Sequence, residues 1–196
     1  MPWTIGREPW PPEIPFGCVF GAAGYERVTS PGRGGKLATL LTGERMPGLY
    51  FEEFEVGQHF RHAVHRTVTE TDNVLFSTLT MNPAALHLDA EYCKTTPYGQ
   101  PIVNSVFTLG LLVGLSIYDT TFGTTLGNLG WEEVKFPRPV LVGDTLRAET
   151  TVVAKRASQS RQDSGILTFE HRAYNQRNEE VASCKRAALM MKKPAP

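Results

Sequence analysis

The stretch Ile102–Tyr118 (IVNSVFTLGLLVGLSIY) restricts this chain more than any other, because it is apolar almost all the way round. A helix of that kind keeps no solvent face and has to be enclosed by other structure. Gly110 and Gly114 lie four residues apart on one side of it. Glycine there costs ~1 kcal/mol relative to alanine, which predicts that a sheet comes close against the bare backbone.

The enclosing material is legible downstream. Four stretches, at roughly 125–137, 144–156, 165–175 and 180–192, are strand-like. Leu146, Ala148, Thr150, Val152 and Ala154 oppose Thr145, Arg147, Glu149, Thr151 and Val153, and Leu167, Phe169, His171 and Ala173 oppose Thr168, Glu170 and Arg172, the period of two that a half-buried strand requires. Asn175–Asn178 (NQRN) serves as a hairpin turn. Upstream, Gln58–Val68 reads as a strand, and Thr69-Glu-Thr-Asp72 offers capping side chains to a short helix around 70–80 in which Val74, Leu75, Phe76 and Leu79 recur at helical spacing. Residues 81–101, with Pro83, Pro97, Gly99 and Pro101, read as loop. This order predicts an α+β domain in which an antiparallel sheet wraps around one long central helix.

That domain is expected over residues 47–193. Residues 1–46 hold Pro2, Pro9, Pro11, Pro12, Pro15 and Pro31 with many glycines and are expected to be a flexible tail. A formal net charge of zero argues against a general affinity for nucleic acid or an anionic membrane, both of which call for a basic surface. No apolar run approaches the ~20 residues that span a bilayer. Cys18, Cys93 and Cys184 are odd in number and widely spaced, which suggests neither a disulfide framework nor a thiolate metal site. A cytoplasmic protein is the expectation.

His59, His62 and His65 resemble a metal cluster, but on a strand His62 points opposite to the other two, so no shared metal site is expected and all three are read as exposed. His171 alternates with core-facing residues and reads as a buried neutral histidine.

Three segments, Leu79–Asp89 (LTMNPAALHLD), Gly99–Phe107 (GQPIVNSVF) and Phe136–Leu146 (FPRPVLVGDTL), together resemble the MaoC-like hydratase/dehydratase family. With the strand order the resemblance covers about residues 48–192. It implies a hot-dog fold, an acyl-CoA substrate, no cofactor and a homodimer or larger homo-oligomer with each acyl tunnel formed between two protomers. TETDNVLFSTLTMNPAALHLD, NLGWEEVKFPRPV and FEHRAYNQRNE resemble more closely the branch that hydrates mesaconyl-CoA and related branched dicarboxylic acyl-CoAs.

Carried over, the catalytic histidine falls on His87, followed by Leu88 and Asp89 in the expected places. The backbone N–H that holds the thioester carbonyl falls on Ser105, with Asn104 and Ser105 standing where the family usually has histidine and glycine. A neutral imidazole is a suitable base near pH 7 for a water that must lose a proton as it attacks. An N–H at a helix start suits the charge that builds on the thioester oxygen, a stabilisation of ~3 kcal/mol.

The departure concerns the family's aspartate. Without a gap its place is Asn82; with Asn82-Pro83 matched to the family's Asn-Pro and two residues inserted, its place is Thr80. An amide can orient a water but cannot shuttle a proton, so Asn82 is expected to position the water while His87 does acid and base work, with Glu70, Asp72 or Asp89 left as carboxylates that folding can supply. Lys135, Arg138, Lys155, Arg156 and Arg161 are candidates for the coenzyme phosphates, and Arg138 or Arg161 for a free substrate carboxylate. A broader (R)-specific enoyl-CoA hydratase, a thioesterase and a non-catalytic acyl-CoA-binding protein remain as alternatives.

Overall fold

The structure is a computed structural model and describes residues 48–194; the expected flexible tail over 1–46 and Cys18 lie outside the described residues. Two short strands, β1 (His59–Arg61) and β2 (Arg66–Thr67), precede helices α1 (Glu70–Leu79), α2 (Ala85–Leu88), α3 (Ala90–Lys94) and α4 (Ser105–Thr120), and strands β3 (Thr125–Lys135), β4 (Thr145–Ala157), β5 (Ser164–Tyr174) and β6 (Glu180–Met191) follow. The sheet runs β1-β4-β5-β6-β3, with β2 also on β4, and every pairing is antiparallel. Helix α4 lies against β4, β5 and β6.

The four long strands fall where the alternation put them, but three upstream elements differ. The strand expected over 58–68 is broken at His62–His65, since both halves pair with β4 and the chain leaves the ladder between them. The loop at 81–101 contains α2 and α3, the latter started by Asp89, whose Oδ1 accepts the Tyr92 N–H at 2.9 Å. Helix α1 buries Asn73 and Ser77 and turns Val74, Leu75 and Leu79 outward, Leu79 with 73% of its surface exposed. Its period is helical as expected, yet the buried stripe is the polar one.

The glycines of α4 also behave differently from expectation. Thr108, Leu112, Leu115, Ser116 and Thr120 form the buried stripe, while Gly110 and Gly114 are exposed and a Cβ on either would meet nothing within 4 Å. The sheet covers one face of α4. The opposite face, with Val106 and Tyr118 beside the glycines, stays open among the described residues. Close approaches occur instead at Gly165, where a Cβ would run into the Phe51 ring, and at Gly48, where it would meet the Phe122 backbone.

The interior is divided. One apolar cluster, with Leu112, Leu115, Ala148, Ala173 and Cys184, lies under α4. Another, with Phe51, Phe54, Val152, Phe169 and Ala188, lies under the segment entering β1. On each central strand the residue at the boundary is polar: Thr150 between Ala148 and Val152, His171 between Phe169 and Ala173, Arg186 between Cys184 and Ala188. His62 joins this layer and is buried, not exposed as expected; only His59 and His65 face outward. Its Nδ1 is 2.8 Å from Asp119 Oδ2 and its Nε2 is 2.8 Å from Thr150 Oγ1, which in turn lies 2.8 Å from His171 Nδ1. Such partners offset the cost of burying polar groups, although His171 Nε2 and Arg186 Nε and Nη2 in the same layer have none among the described residues. Burial, then the charges of Arg186 and His62, push the His171 imidazole well below the ordinary histidine range, consistent with the neutral residue expected.

Candidate active site

The three family-like segments converge at the N-terminal end of α4. Val103 N–H donates to Val140 O at 2.8 Å, Ile102 pairs with Leu141 in an isolated bridge, and Ile102 N–H donates to Leu86 O at 3.1 Å. The Gly-Asp of the third segment has a backbone reason. Gly143 holds φ at +93°, in the left-handed region that favours glycine, and the buried Asp144 closes the turn by accepting the Leu141 N–H at 3.0 Å.

His87 stands in α2 with its Nδ1 2.9 Å from Ile102 O. A carbonyl only accepts, so Nδ1 carries the proton and, in the neutral ring, Nε2 keeps its lone pair. Ile102 is three residues from Ser105, a span of about 10 Å at most. The imidazole and the helix start are therefore fixed to one short segment.

Asn104 caps α4: its Oδ1 accepts the Val106 N–H at 3.0 Å, and its carbonyl accepts from Thr108 N–H. Its side chain is buried by this work. Ser105 is the first residue of the helix, so its N–H belongs to the first-turn donors that an α-helix leaves without an intrahelical acceptor. It lines a cleft of about 230 Å³ together with Tyr98, Thr108, Phe136, Arg138 and Val181. The positive end of the α4 dipole points the same way.

Asn82 lies elsewhere on the loop. Its Oδ1 accepts the Ala84 N–H at 3.1 Å, an Asx turn that follows Met81 at φ +54°, and it lines a second depression of about 370 Å³ with Met81, Pro83 and Leu88. His87 lines neither, but it is bonded to Ile102, which lines the first, and precedes Leu88, which lines the second. The other place for the aspartate, Thr80, spends its hydroxyl on Phe76 O. Asp72 is occupied by Thr69 N–H, the Thr69 hydroxyl and Arg66, and Asp89 caps α3, so both carboxylates are committed to helix starts.

The basic candidates separate. Arg138 lines the Ser105 cleft, donates to Glu180 O at 3.3 Å and keeps about half its side chain exposed. Arg161 sits on the β4–β5 turn, bidentate to Asp163 at 2.9 and 2.8 Å. That turn lies at the sheet end where Ser164 faces Met191, whereas the cleft lies where Tyr174 faces Glu180. Arg161 is thus a β-turn ion pair apart from the cleft of its own chain. Lys155 is likewise engaged, donating to Phe54 O and lying over the Phe51 ring.

Sequence reasoning passed over Asn73, which is buried and bonds the backbone of His87, Ile102 and Asn104. Among the described residues no cluster of His, Cys, Asp and Glu is placed to hold a metal ion, and no helix is long and apolar enough to cross a membrane.

The MaoC like domain family matches residues 52–175, and the chain belongs to that family. It is 31% identical over 153 residues to mesaconyl-CoA hydratase of Cereibacter sphaeroides, a match covering 76% of this chain and 44% of that protein. It is 31% identical over 107 residues to the (R)-specific enoyl-CoA hydratase of Rhodospirillum rubrum, covering 53% of this chain and 69% of that one. A Mycobacterium tuberculosis structure described as a double hot-dog fold superimposes with a TM-score of 0.70 at 24% identity, covering 78% of this chain and 47% of its own. The fold is a hot-dog, and this chain spans about half the length of the first and last of these proteins.

Proposed function

We propose that this protein is a hydratase/dehydratase that adds water reversibly across the double bond of an enoyl-CoA thioester. The observation that carries the proposal is the His87 Nδ1 to Ile102 O bond at 2.9 Å, which leaves Nε2 as a base on the segment that delivers the Ser105 N–H. His87 Nε2 takes a proton from water as its oxygen bonds to the β-carbon. Charge that moves onto the thioester oxygen is met by the Ser105 N–H and the α4 dipole. The imidazolium then returns the proton to the α-carbon, so the elements of water are added and the base is regenerated. Asn82, restrained by its Asx turn, orients the water.

The substrate we favour is mesaconyl-CoA or a related branched dicarboxylic acyl-CoA, with Arg138 at the cleft receiving the free carboxylate and Lys135 within reach of coenzyme phosphates. The match to the Cereibacter protein supports this choice. A homodimer in the cytoplasm belongs to the same reading: β3 is an edge strand of 11 residues with Leu129, Trp131 and Val134 exposed, and one face of α4 is uncovered, as a second copy would require.

The test is loss of enoyl-thioester absorbance with full-length protein on mesaconyl-CoA and crotonyl-CoA. His87→Gln is expected to lower kcat by about 10²–10⁴-fold. Arg138→Ala should raise KM for mesaconyl-CoA and leave crotonyl-CoA nearly untouched. Tight acyl-CoA binding without turnover by the wild type would favour a non-catalytic binding protein instead.

A further inference from the structure

We propose that Asn73 is the positioning residue of this site, the one side chain that sets the imidazole of His87 against the Ser105 N–H. The inference rests on the hydratase reading above. Asn73 is 1% exposed and sits in the first half of α1 with both amide hydrogens and its oxygen engaged. Its two Nδ2 hydrogens go to His87 O at 3.0 Å and Ile102 O at 3.1 Å, and its Oδ1 accepts the Asn104 N–H at 2.9 Å. One planar amide thus grips the backbone of the base, the carbonyl that fixes that base's tautomer, and the residue immediately before Ser105.

The pattern of donors and acceptors admits only an amide there. Two carbonyls must be met by donors and one N–H by an acceptor, so aspartate would face two carbonyl oxygens with a carboxylate, and leucine would leave His87 O and the Asn104 N–H without partners and Ile102 O with the His87 ring alone. A core-filling helix would not place asparagine on its buried stripe, since a buried amide contributes little beyond what an apolar group would. The cost is understandable if geometry is what the residue secures. Ile102 O accepts from both Asn73 and His87, so losing Asn73 frees that carbonyl to turn and lets the imidazole tilt with it. Displacement of a base by about 1 Å can lower a rate ~10²-fold.

Asn73→Ala and Asn73→Asp in the full chain would be compared with Val152→Ala, which destabilises the other apolar cluster and touches none of these groups. On the acyl-CoA that the wild type turns over best, kcat should fall about 10- to 100-fold for both Asn73 variants with KM changed less than threefold, while Val152→Ala at matched loss of Tm keeps its kcat. ¹⁵N spectra of the His87 ring should show the Nδ1–H tautomer in the wild type and a mixture in Asn73→Ala. Folded Asn73 variants with kcat within threefold of wild type and an unmixed tautomer would overturn the proposal. If the wild type turns over nothing, the hydratase reading fails by itself, and the ring spectra still decide whether Asn73 holds His87.

Discussion

The two ends of α4 each carry a bonded histidine, and they are built from different materials. At the N-terminal end His87 is held through one nitrogen by a backbone carbonyl, on a four-residue helix between loops. At the C-terminal end His62 is held through both nitrogens, by Asp119 and Thr150, over the central strands. The first arrangement leaves a lone pair for chemistry. The second consumes every site on the ring and hands the chain of bonds on to His171. A histidine beside a carboxylate and a hydroxyl would be read as a nucleophilic triad by residue type alone, yet Thr150 is buried and already shared between two imidazoles. What separates the two rings is the unspent nitrogen of His87.

The comparison breaks most visibly if activity follows the wrong histidine. His87→Gln should lower kcat by about 10²–10⁴-fold, at a cost in stability of no more than about 1 kcal/mol for a partly buried residue. Thr150→Val should do the reverse. It keeps the shape of the side chain but leaves His62 Nε2 and His171 Nδ1 without partners, each costing about 1–3 kcal/mol. Denaturant midpoints should therefore drop sharply while kcat stays within about twofold. Loss of kcat with Thr150→Val in folded protein would tie the strand layer to catalysis and erase the distinction.

Proton linkage sharpens it further. His171 is held below the ordinary value of ~6.5 by burial first and by Arg186 and His62 after it, so the unfolded chain binds this proton more readily than the folded one. Stability from this group is complete above pH ~6.5 and declines as pH falls below it, at no more than about 1.4 kcal/mol per pH unit for a single site. Replacing His171 by leucine should flatten that part of the stability–pH curve measured by urea unfolding. An unchanged slope would mean that the layer is hydrated well enough to accept the charge.

The strands and α4 were legible because period and apolar continuity are local properties of Leu146–Ala154, Leu167–Ala173 and Ile102–Tyr118. The position of His87 was legible from its flanking segments. The partners were not. His62 meets residues 57 and 88 positions away, and Asn73 meets residues 14 to 31 away, so neither burial follows from alternation. Period fixes which residues of α1 share a face but not which face turns inward, and here the polar stripe won because it satisfies three backbone groups. Gly110 and Gly114 misled for a related reason: α4 is apolar on more sides than its own sheet covers. Arg161 looked free in sequence and is neutralised by Asp163 two residues on.

The smallest expected effect concerns how α1 is anchored. Asp72 accepts the Thr69 N–H at 2.8 Å and Arg66 Nη2 at 2.7 Å. The Arg66 hydrogen bond first, with the Thr69 bonds, outweighs partial burial and holds the Asp72 carboxyl down to about 2. The folded carboxyl ionises below the ~3.9 of an unfolded aspartate, so its contribution is present above pH ~4 and lost as pH falls towards 2. Asp72→Asn should cost about 1 kcal/mol at pH 7, because Arg66 is substantially exposed and solvent screens the pair. Asn73 is the next residue, so fraying of this first turn loosens the amide that grips His87 O and Ile102 O. A two- to fivefold fall in kcat is expected alongside the small loss of stability, with the Thr150 layer undisturbed. If kcat instead holds while α1 amides exchange faster with solvent, Asn73 keeps its grip without the cap, and the His87 end of α4 is sturdier than its loops suggest.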